Sequence, residues 1–349
     1  MDFTFDAQQI EFRDAIQRFL MVEAAPEALR DIWSTRTGRS SELRAKLADQ
    51  GLTALSVPEE FGGMGLGDLD WMPVQRELGY YAIPDSLSDM AYLAVWALSQ
   101  LPASVPVRAE WLARIAEGRA RIAVGHNINP FVCDAEVADL LLLWRDNELH
   151  AVEPDSVKLT LNPSIDMSRR LYTVSGGRGT RLCNGRLGKD IGRGLLDRGA
   201  FAAACQLLGL AQRMLDLGVD HAAQRKQFGK PIGSFQAVKH QMADVAVAIE
   251  FAEPVVQRAA YALAHGESLA AVHVSHARIA AGDAALLAAR NSLQAHGAMG
   301  YTWEADLQMF MKRAWALDAA WGDRAFHKSR VAAHVFNKDA ALGPGATFD

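Results

Sequence analysis

The hydrophobic period changes twice along this chain, and that change limits the folds open to it. From Asp6 to about Gly118 apolar residues recur at helical spacing, as in Ile10, Phe12, Ile16 and Phe19 and again in Leu43, Leu47 and Leu52. From about Ala120 to Leu187 short runs and alternation take over. Leu140–Trp144 is an apolar run, Asp146-Asn147-Glu148 a turn, and Leu149–Val152 a returning hairpin strand. Val157, Leu159 and Leu161 then alternate with polar residues, and Leu171–Val174 runs into Ser175-Gly176-Gly177. From Leu195 long helices return. Val238, Met242, Val245 and Ile249 form one apolar stripe, Pro254 is expected to kink that helix without ending it, and a further helix is expected from Leu269 to Leu293. The expected fold is mostly α, with an N-terminal helical domain over 1–118, a small β domain over 119–190 and a C-terminal helical region over 191–340.

A chain of 349 residues, 50% of them hydrophobic, buries a sizeable core without needing a disulfide or metal. Its 36 Lys+Arg against 41 Asp+Glu give a formal charge of −5, which offers no general attraction to nucleic acid or anionic lipid. Cys133, Cys183 and Cys205 are odd in number and irregularly spaced, as expected of reduced thiols in a cytoplasmic protein. Met1 leads straight into Asp2, Asp6 and Glu11, so no signal peptide is expected, and no uncharged apolar run is long enough for a membrane span. A short Gly- and Pro-rich tail follows Leu342.

Most motifs read as architecture. Gly62-Gly63-Met64-Gly65-Leu66-Gly67 follows helical texture and has the wrong spacing for a dinucleotide loop, so it is expected to be a tight interhelical turn. Gly176-Gly177-Arg178-Gly179 is expected to be a turn leaving a strand. His273 and His276 lack a third ligand, and no Gly-x-Ser-x-Gly elbow occurs. Two stretches carry more. In Arg225-Lys226-Gln227-Phe228-Gly229-Lys230-Pro231-Ile232-Gly233-Ser234-Phe235-Gln236 a helix ends, a Gly-Lys-Pro turn follows and another helix begins. Free N–H groups at the new helix start suit an anion, and Arg225 adds a fork of donors matching a phosphate. Phe228 and Phe235 offer faces to an aromatic ring whose edge Gln236 can read, against the plainer reading of a helical corner with an exposed arginine. Gln294-Ala295-His296-Gly297-Ala298-Met299-Gly300-Tyr301 is a glycine-rich break between helices, readable as a close-approach turn or a helix cap.

Together these stretches resemble the acyl-CoA dehydrogenase family, whose pattern runs Arg-x-Gln-Phe-Gly-x-Pro-(Leu/Ile)-x-x-Phe-Gln and then Gln-x-x-Gly-Gly-x-Gly-(Tyr/Phe). Ala298 stands where the second glycine of the later segment is usual. Leu52–Gly65 is similar to part of the family's first domain, whereas the middle region matches poorly. The resemblance implies a helical domain, a small β domain and a C-terminal four-helix bundle, with FAD in a cleft between subunits. By position it implies that Arg225, Gln227, Phe228, Phe235 and Gln236 reach the FAD of a neighbouring subunit near its pyrophosphate and adenine. Gln294, Gly297 and Ala298 would line the same cofactor.

The family reaction removes the α-proton of an acyl-CoA with a carboxylate base and passes the β-hydride to the flavin. The two positions at which the family carries that glutamate fall here on Trp321 and Gly199, neither of which accepts a proton. Asp197, Asp318 and Asp323 stand near them in sequence and remain candidates for a displaced base, against a reading as helix-start or surface residues. The family's Thr-Glu-Pro-x-x-Gly-Ser-Asp segment, which touches flavin and substrate, is replaced by His126-Asn127-Ile128-Asn129-Pro130-Phe131. This pattern resembles a base-lacking subunit of a heterotetrameric α2β2 acyl-CoA dehydrogenase of the kind that acts on bulky sterol or bile-acid side chains. An acyl-CoA substrate, a second related subunit and an acceptor of the electron-transfer flavoprotein type are then implied. Two alternatives stay open: a self-sufficient homo-oligomer with an aspartate base, and a non-catalytic stabilising subunit.

Overall fold

The computed structural model describes residues 4–343, so the start at Met1 and Asp2 and the tail beyond Gly343 lie outside the described residues. Ahead of the strands come α1 (Ala7–Glu23), α2 (Pro26–Ser34), α3 (Ser41–Asp49) and α4 (Asp68–Tyr80). A π-helical segment (Ser88–Ala94) runs into α5 (Val95–Ser99), and α6 (Pro106–Ala116) follows. The strands are β1 (Ile122–His126), β2 (Val132–Cys133), β3 (Leu140–Arg145), β4 (Glu148–Val152), β5 (Lys158–Asn162), β6 (Leu171–Ser175) and β7 (Thr180–Cys183). Then come α7 (Gly185–Gln224), the short pair β8 (Lys226–Gln227) and β9 (Lys230–Pro231), α8 (Gln236–Ala264), α9 (Ala270–His296), α10 (Leu307–Asp318) and α11 (Arg324–Val335). The chain groups into two compact units, residues 16–71 with 83–199, and residues 4–15 with 72–82 and 200–343.

In the first of these units the strands form two sheets, ordered β1-β3-β4-β7 and β2-β6-β5. The hairpin read from the sequence is present: β3 and β4 pair antiparallel, with Trp144 opposite Leu149. Asp146 and Asn147 between them both take positive φ (54° and 60°), the geometry that matches the twist of a two-residue hairpin. Ala123, Leu141, Leu143 and Val152 of one sheet and Val132 and Tyr172 of the other share a buried core with Ala135. Arg39 donates Nε–H to Asp134 (2.7 Å) and Nη1–H to the Ser168 carbonyl (2.5 Å), an ion pair buried on both sides. Helix α7 starts at Gly185, well ahead of the Leu195 start the sequence suggests. Its early glycines are sites of close approach. A Cβ on Gly188 would lie 1.9 Å from the Asn147 carbonyl, one on Gly192 2.1 Å from the Trp144 ring, and one on Gly194 1.9 Å from the Trp96 ring.

In the other unit, α7 from Ala200 onward, α8, α9 and α10 close a four-helix bundle. Gly218 of α7 lets Met242 of α8 and Ser292 of α9 approach, and Ser292 Oγ–H donates to the Met214 carbonyl at 2.6 Å. Asn291 Nδ2–H donates to the Gln241 carbonyl (2.8 Å), tying α9 to α8. Arg278 of α9 pairs with Asp318 of α10, and Arg213 of α7 lies 5.4 Å over the Phe310 ring of α10. Met242, Val245 and Ile249 of the expected stripe are buried, and α8 continues through Pro254. The three cysteines are free thiols.

Candidate functional site

The two motif stretches meet because they leave adjacent helix ends. His221, in the last turn of α7, lays its ring on that of His296, the last residue of α9, with centroids 4.1 Å apart and planes 20° from parallel. One turn beyond His221 comes Arg225, whose N–H donates to the His221 carbonyl (2.9 Å); directly after His296 comes Gly297. Neither histidine was legible from the sequence, since the partners are remote in the chain and neither sits in a ligand-type pattern.

The turn after Arg225 differs from the Gly-Lys-Pro corner read from sequence. Phe228 and Gly229 form its tip and close the β8–β9 hairpin, in which Gln227 pairs with Lys230. The Ile232 N–H donates to the Arg225 carbonyl at 2.8 Å and seals the loop. Phe228 has φ +53°, a conformation that disfavours a bulky side chain, and its side chain is 90% exposed. Both features cost free energy in the isolated chain. A residue kept under two costs is a reasonable mark of a contact made with something else. Phe235 meets Phe228 edge-on (6.1 Å) and carries the Lys230 ammonium 4.5 Å over its ring. Helix α8 then starts at Gln236 without a side-chain cap. The Val238 and Lys239 N–H groups donate to the Phe235 carbonyl, so the Gln236 and Ala237 N–H groups are the first-turn donors open to an anion, and Arg225 at the other end of the turn is exposed.

Across the ring pair, Gln294, Gly297 and Ala298 are all exposed. Gly297 (φ +60°, ψ −142°) ends α9 in a conformation open essentially to glycine only, and a Cβ there would meet nothing. Positive charge, an uncapped helix start and two aromatic faces thus follow one another along residues 225–236, and bare backbone begins directly past the stacked His296. That set suits an anionic ligand with a flat ring, and phosphate with a nucleobase is the matching chemistry.

The candidate proton acceptors behave differently. Trp321 is buried at φ +57°, and its carbonyl accepts from Nε2 of buried His327 (3.1 Å). Gly199 is a buried residue of α7. Asp318 accepts from Arg278 Nη1–H at 3.0 Å, and Asp323 caps α11 by accepting from the Phe326 N–H at 2.8 Å. Asp197 is half-buried on α7.

The segment that replaces Thr-Glu-Pro is closed on itself. His126, at the end of β1, stacks on Trp144 (4.4 Å, planes 8° apart). Its Nε2–H donates to the Gly192 carbonyl and its Nδ1 accepts from the Ile128 N–H, both at 3.1 Å. The Trp144 indole N–H is spent on the Gly188 carbonyl (2.7 Å). Burial holds His126 down to about 4, against the Gly192 bond that favours the charged form. A cavity of about 340 Å³ remains beside the pair, lined by Asn147, Lys189, Arg193 and Leu196 among others. Among the described residues no group of three or more His, Cys, Asp or Glu could hold a metal, and no helix is long and apolar enough to cross a membrane.

Comparison with known proteins fits this geometry. The acyl-CoA dehydrogenase N-terminal domain model matches residues 6–119, and the C-terminal domain model matches 188–336. Acyl-CoA dehydrogenase IpdE2 of Mycolicibacterium smegmatis is 34% identical over 327 residues, covering 93% of this chain and 97% of that protein. A chain of the ChsE4-ChsE5 complex from Mycobacterium tuberculosis superposes with a TM-score of 0.84 at 22% identity, over 97% of this chain and 100% of that one. A variant of the Tcur3481-Tcur3483 steroid ACAD gives 0.85 at 20% identity, over 93% and 97%. At these identities the two structures establish the fold.

Proposed function

The chain belongs to the acyl-CoA dehydrogenase family, and on that premise we propose that it is one subunit of a heteromeric α2β2 enzyme. In this reading it holds the pyrophosphate and adenine half of an FAD at the subunit interface, and a second, related chain supplies the catalytic base. The observation that carries the reading is the loss of the base: Trp321 and Gly199 occupy both family positions, while Asp318 and Asp323 are engaged in an ion pair and a helix cap.

The residues present fit FAD. Arg225 would hold a phosphate oxygen through its fork of donors, assisted by the uncapped start of α8. Phe228 or Phe235, set edge-on to each other, would offer a face to an aromatic ring, with Gln227 and Gln236 at its polar edge, and Gln294, Gly297 and Ala298 would meet the cofactor with mostly bare backbone. Bound FAD supplies the hydride acceptor for α,β-desaturation of the acyl-CoA thioester. The residues of this chain would bind and orient it, and the ring nitrogens of His126 and the indole N–H of Trp144 are spent on bonds within the chain rather than offered to a flavin ring.

We assign the substrate as a bulky acyl-CoA such as a steroid side chain. A similar fold belongs to a protein described as a steroid ACAD, and halving each site leaves room for a large acyl group. The complex of two different chains among the structural neighbours supports the heteromer. An electron-transfer flavoprotein would reoxidise the enzyme, and the three free thiols agree with a cytoplasmic setting. The test is to purify the chain alone and with a co-expressed acyl-CoA dehydrogenase-like partner, and to measure FAD per pair of chains. About one FAD per pair, with little on the isolated chain, is expected. Stoichiometric flavin on the isolated chain would overturn the reading.

A further inference from the structure

We propose that the His221–His296 ring pair is the positioning element of the cofactor edge, fixing the Arg225 turn against the Gly297 turn so that both face the ligand as one surface. The inference rests on the FAD reading of those turns, and it concerns two residues that lie outside both sets of cofactor contacts.

The argument begins with how α7 and α9 are tied. A polar link between them, Ser292 Oγ–H to the Met214 carbonyl, lies about two turns back from His221. Asn291 is directed to α8 instead. Toward the ends the helices are joined by two flat rings at 4.1 Å. Each ring sits at the root of one motif: Arg225 follows His221 by one helical turn, and Gly297 follows His296 directly. His296 is held in turn by Nδ1–H donation to the Ser292 carbonyl (2.8 Å), so its ring plane is set by α9 itself. The hairpin tip at Phe228 and the backbone at Gly297 are both exposed and have little packing of their own. Their relative position therefore depends on the ring contact at their bases.

The electrostatics of His221 agree with this role. Burial, then His296, then Arg225 push the titration of His221 below the usual imidazole value, which favours its neutral form in the stack. The charged and titratable groups facing His221 are His296 from α9 and Arg225 one turn on. A neutral His221 suits an element that places the guanidinium and does not itself take the anion.

The experiment uses the full chain assembled with its co-expressed partner and freed of flavin, ADP as the probe for the pyrophosphate-adenine half of the cofactor, and hydrogen exchange at residues 225–230 and 297–301. His221→Ala is expected to speed exchange in both segments and to weaken ADP binding about two- to tenfold, the usual worth of an aromatic pair. His221→Phe keeps a flat ring and is expected to restore both. His296→Ala removes the contact from the other helix and is expected to reproduce the loss, with the ring-current shift of the His221 C2 proton abolished. Unchanged exchange in both alanine variants, or failure of the phenylalanine to rescue, overturns the proposal. If wild type does not bind ADP, the cofactor reading fails by itself, and the exchange measurement still decides whether the ring pair joins the two turns.

Discussion

Arg278 of α9 donates Nη1–H to Asp318 of α10 at 3.0 Å and Nη2–H to the Leu317 carbonyl at 2.7 Å, so the carboxylate three residues before Trp321 is committed to neutralising a buried guanidinium. Asp318→Asn keeps the shape and removes the charge. It should cost about 1–3 kcal/mol of stability, because Arg278 is left buried with a neutral partner. Turnover per bound flavin in the assembled complex should stay within a few-fold of wild type. Urea denaturation and flavin-normalised kcat separate the two effects. A loss on the order of 10²–10⁴-fold with normal flavin content would instead make Asp318 a general base.

Asp323 has a different duty, since it accepts the Phe326 N–H at the start of α11. Asn is an equally good cap and Ala is not. Asp323→Asn should therefore match wild type in both stability and activity. Asp323→Ala should lose about 1 kcal/mol of stability without changing flavin-normalised kcat. Activity that tracks the carboxylate rather than the cap would contradict this assignment.

Local chemistry made some of this legible in the sequence, and long-range contact hid the rest. The β3–β4 hairpin was readable because Asp146-Asn147 is a strong turn signal between two apolar runs. The early part of α7 was not, because Gly188, Gly192 and Gly194 read as helix breakers when taken locally; they are kept for the carbonyl and the two indole rings pressed against them. The π-helical stretch at Ser88–Ala94 leaves no mark in a hydrophobic pattern, since Met90 to Ala94 are buried on every side. At the site, Arg225 and Gly297 could be named from motif chemistry, but their juxtaposition depends on His221 and His296, which no local pattern connects.

Phe228 exchanges stability for contact. A bulky residue at positive φ is strained by roughly 1–2 kcal/mol, whereas Asn tolerates that conformation. Phe228→Asn should raise the stability of the isolated chain by about 0.5–1 kcal/mol and lower FAD retention in the complex. Denaturant midpoints and released-flavin assays read the two arms. A variant that lost stability would show that the side chain packs within its own chain.

Arg225→Ala removes the charged fork at the start of the turn that precedes α8. A charge-assisted bond to phosphate contributes about 1.5–3 kcal/mol, so FAD affinity in the complex should fall roughly ten- to a hundredfold. Arg225→Lys should recover part of it, because an ammonium keeps the charge and loses the paired geometry. The stability of the chain should hardly change, since the side chain is exposed. Equilibrium dialysis at two salt concentrations checks both expectations. Flavin content that ignores both substitutions would favour a stabilising subunit without a cofactor role.

The last prediction follows from His126, which burial holds at about 4 while it stacks on Trp144 and bonds Gly192 and Ile128. The unfolded chain takes up this proton near pH 6.5 and the folded chain only near 4. Between those values the unfolded state binds more protons, so stability is full above about pH 6.5 and falls as the pH drops toward 4. The shift of about 2.5 units sets an upper bound of about 3.5 kcal/mol on the loss. His327, also lowered to about 4 by burial, adds to the same acid slope, so the total will exceed one residue's share. His126→Phe keeps a ring against Trp144 and cannot titrate. It should be less stable than wild type at pH 7.5, where two hydrogen bonds are missing, yet lose less on acidification. Urea midpoints at pH 7.5 and 5 for both proteins measure this. Parallel slopes would mean that His126 takes up its proton at the same pH in the folded and unfolded chain, and that burial does not hold the proton off.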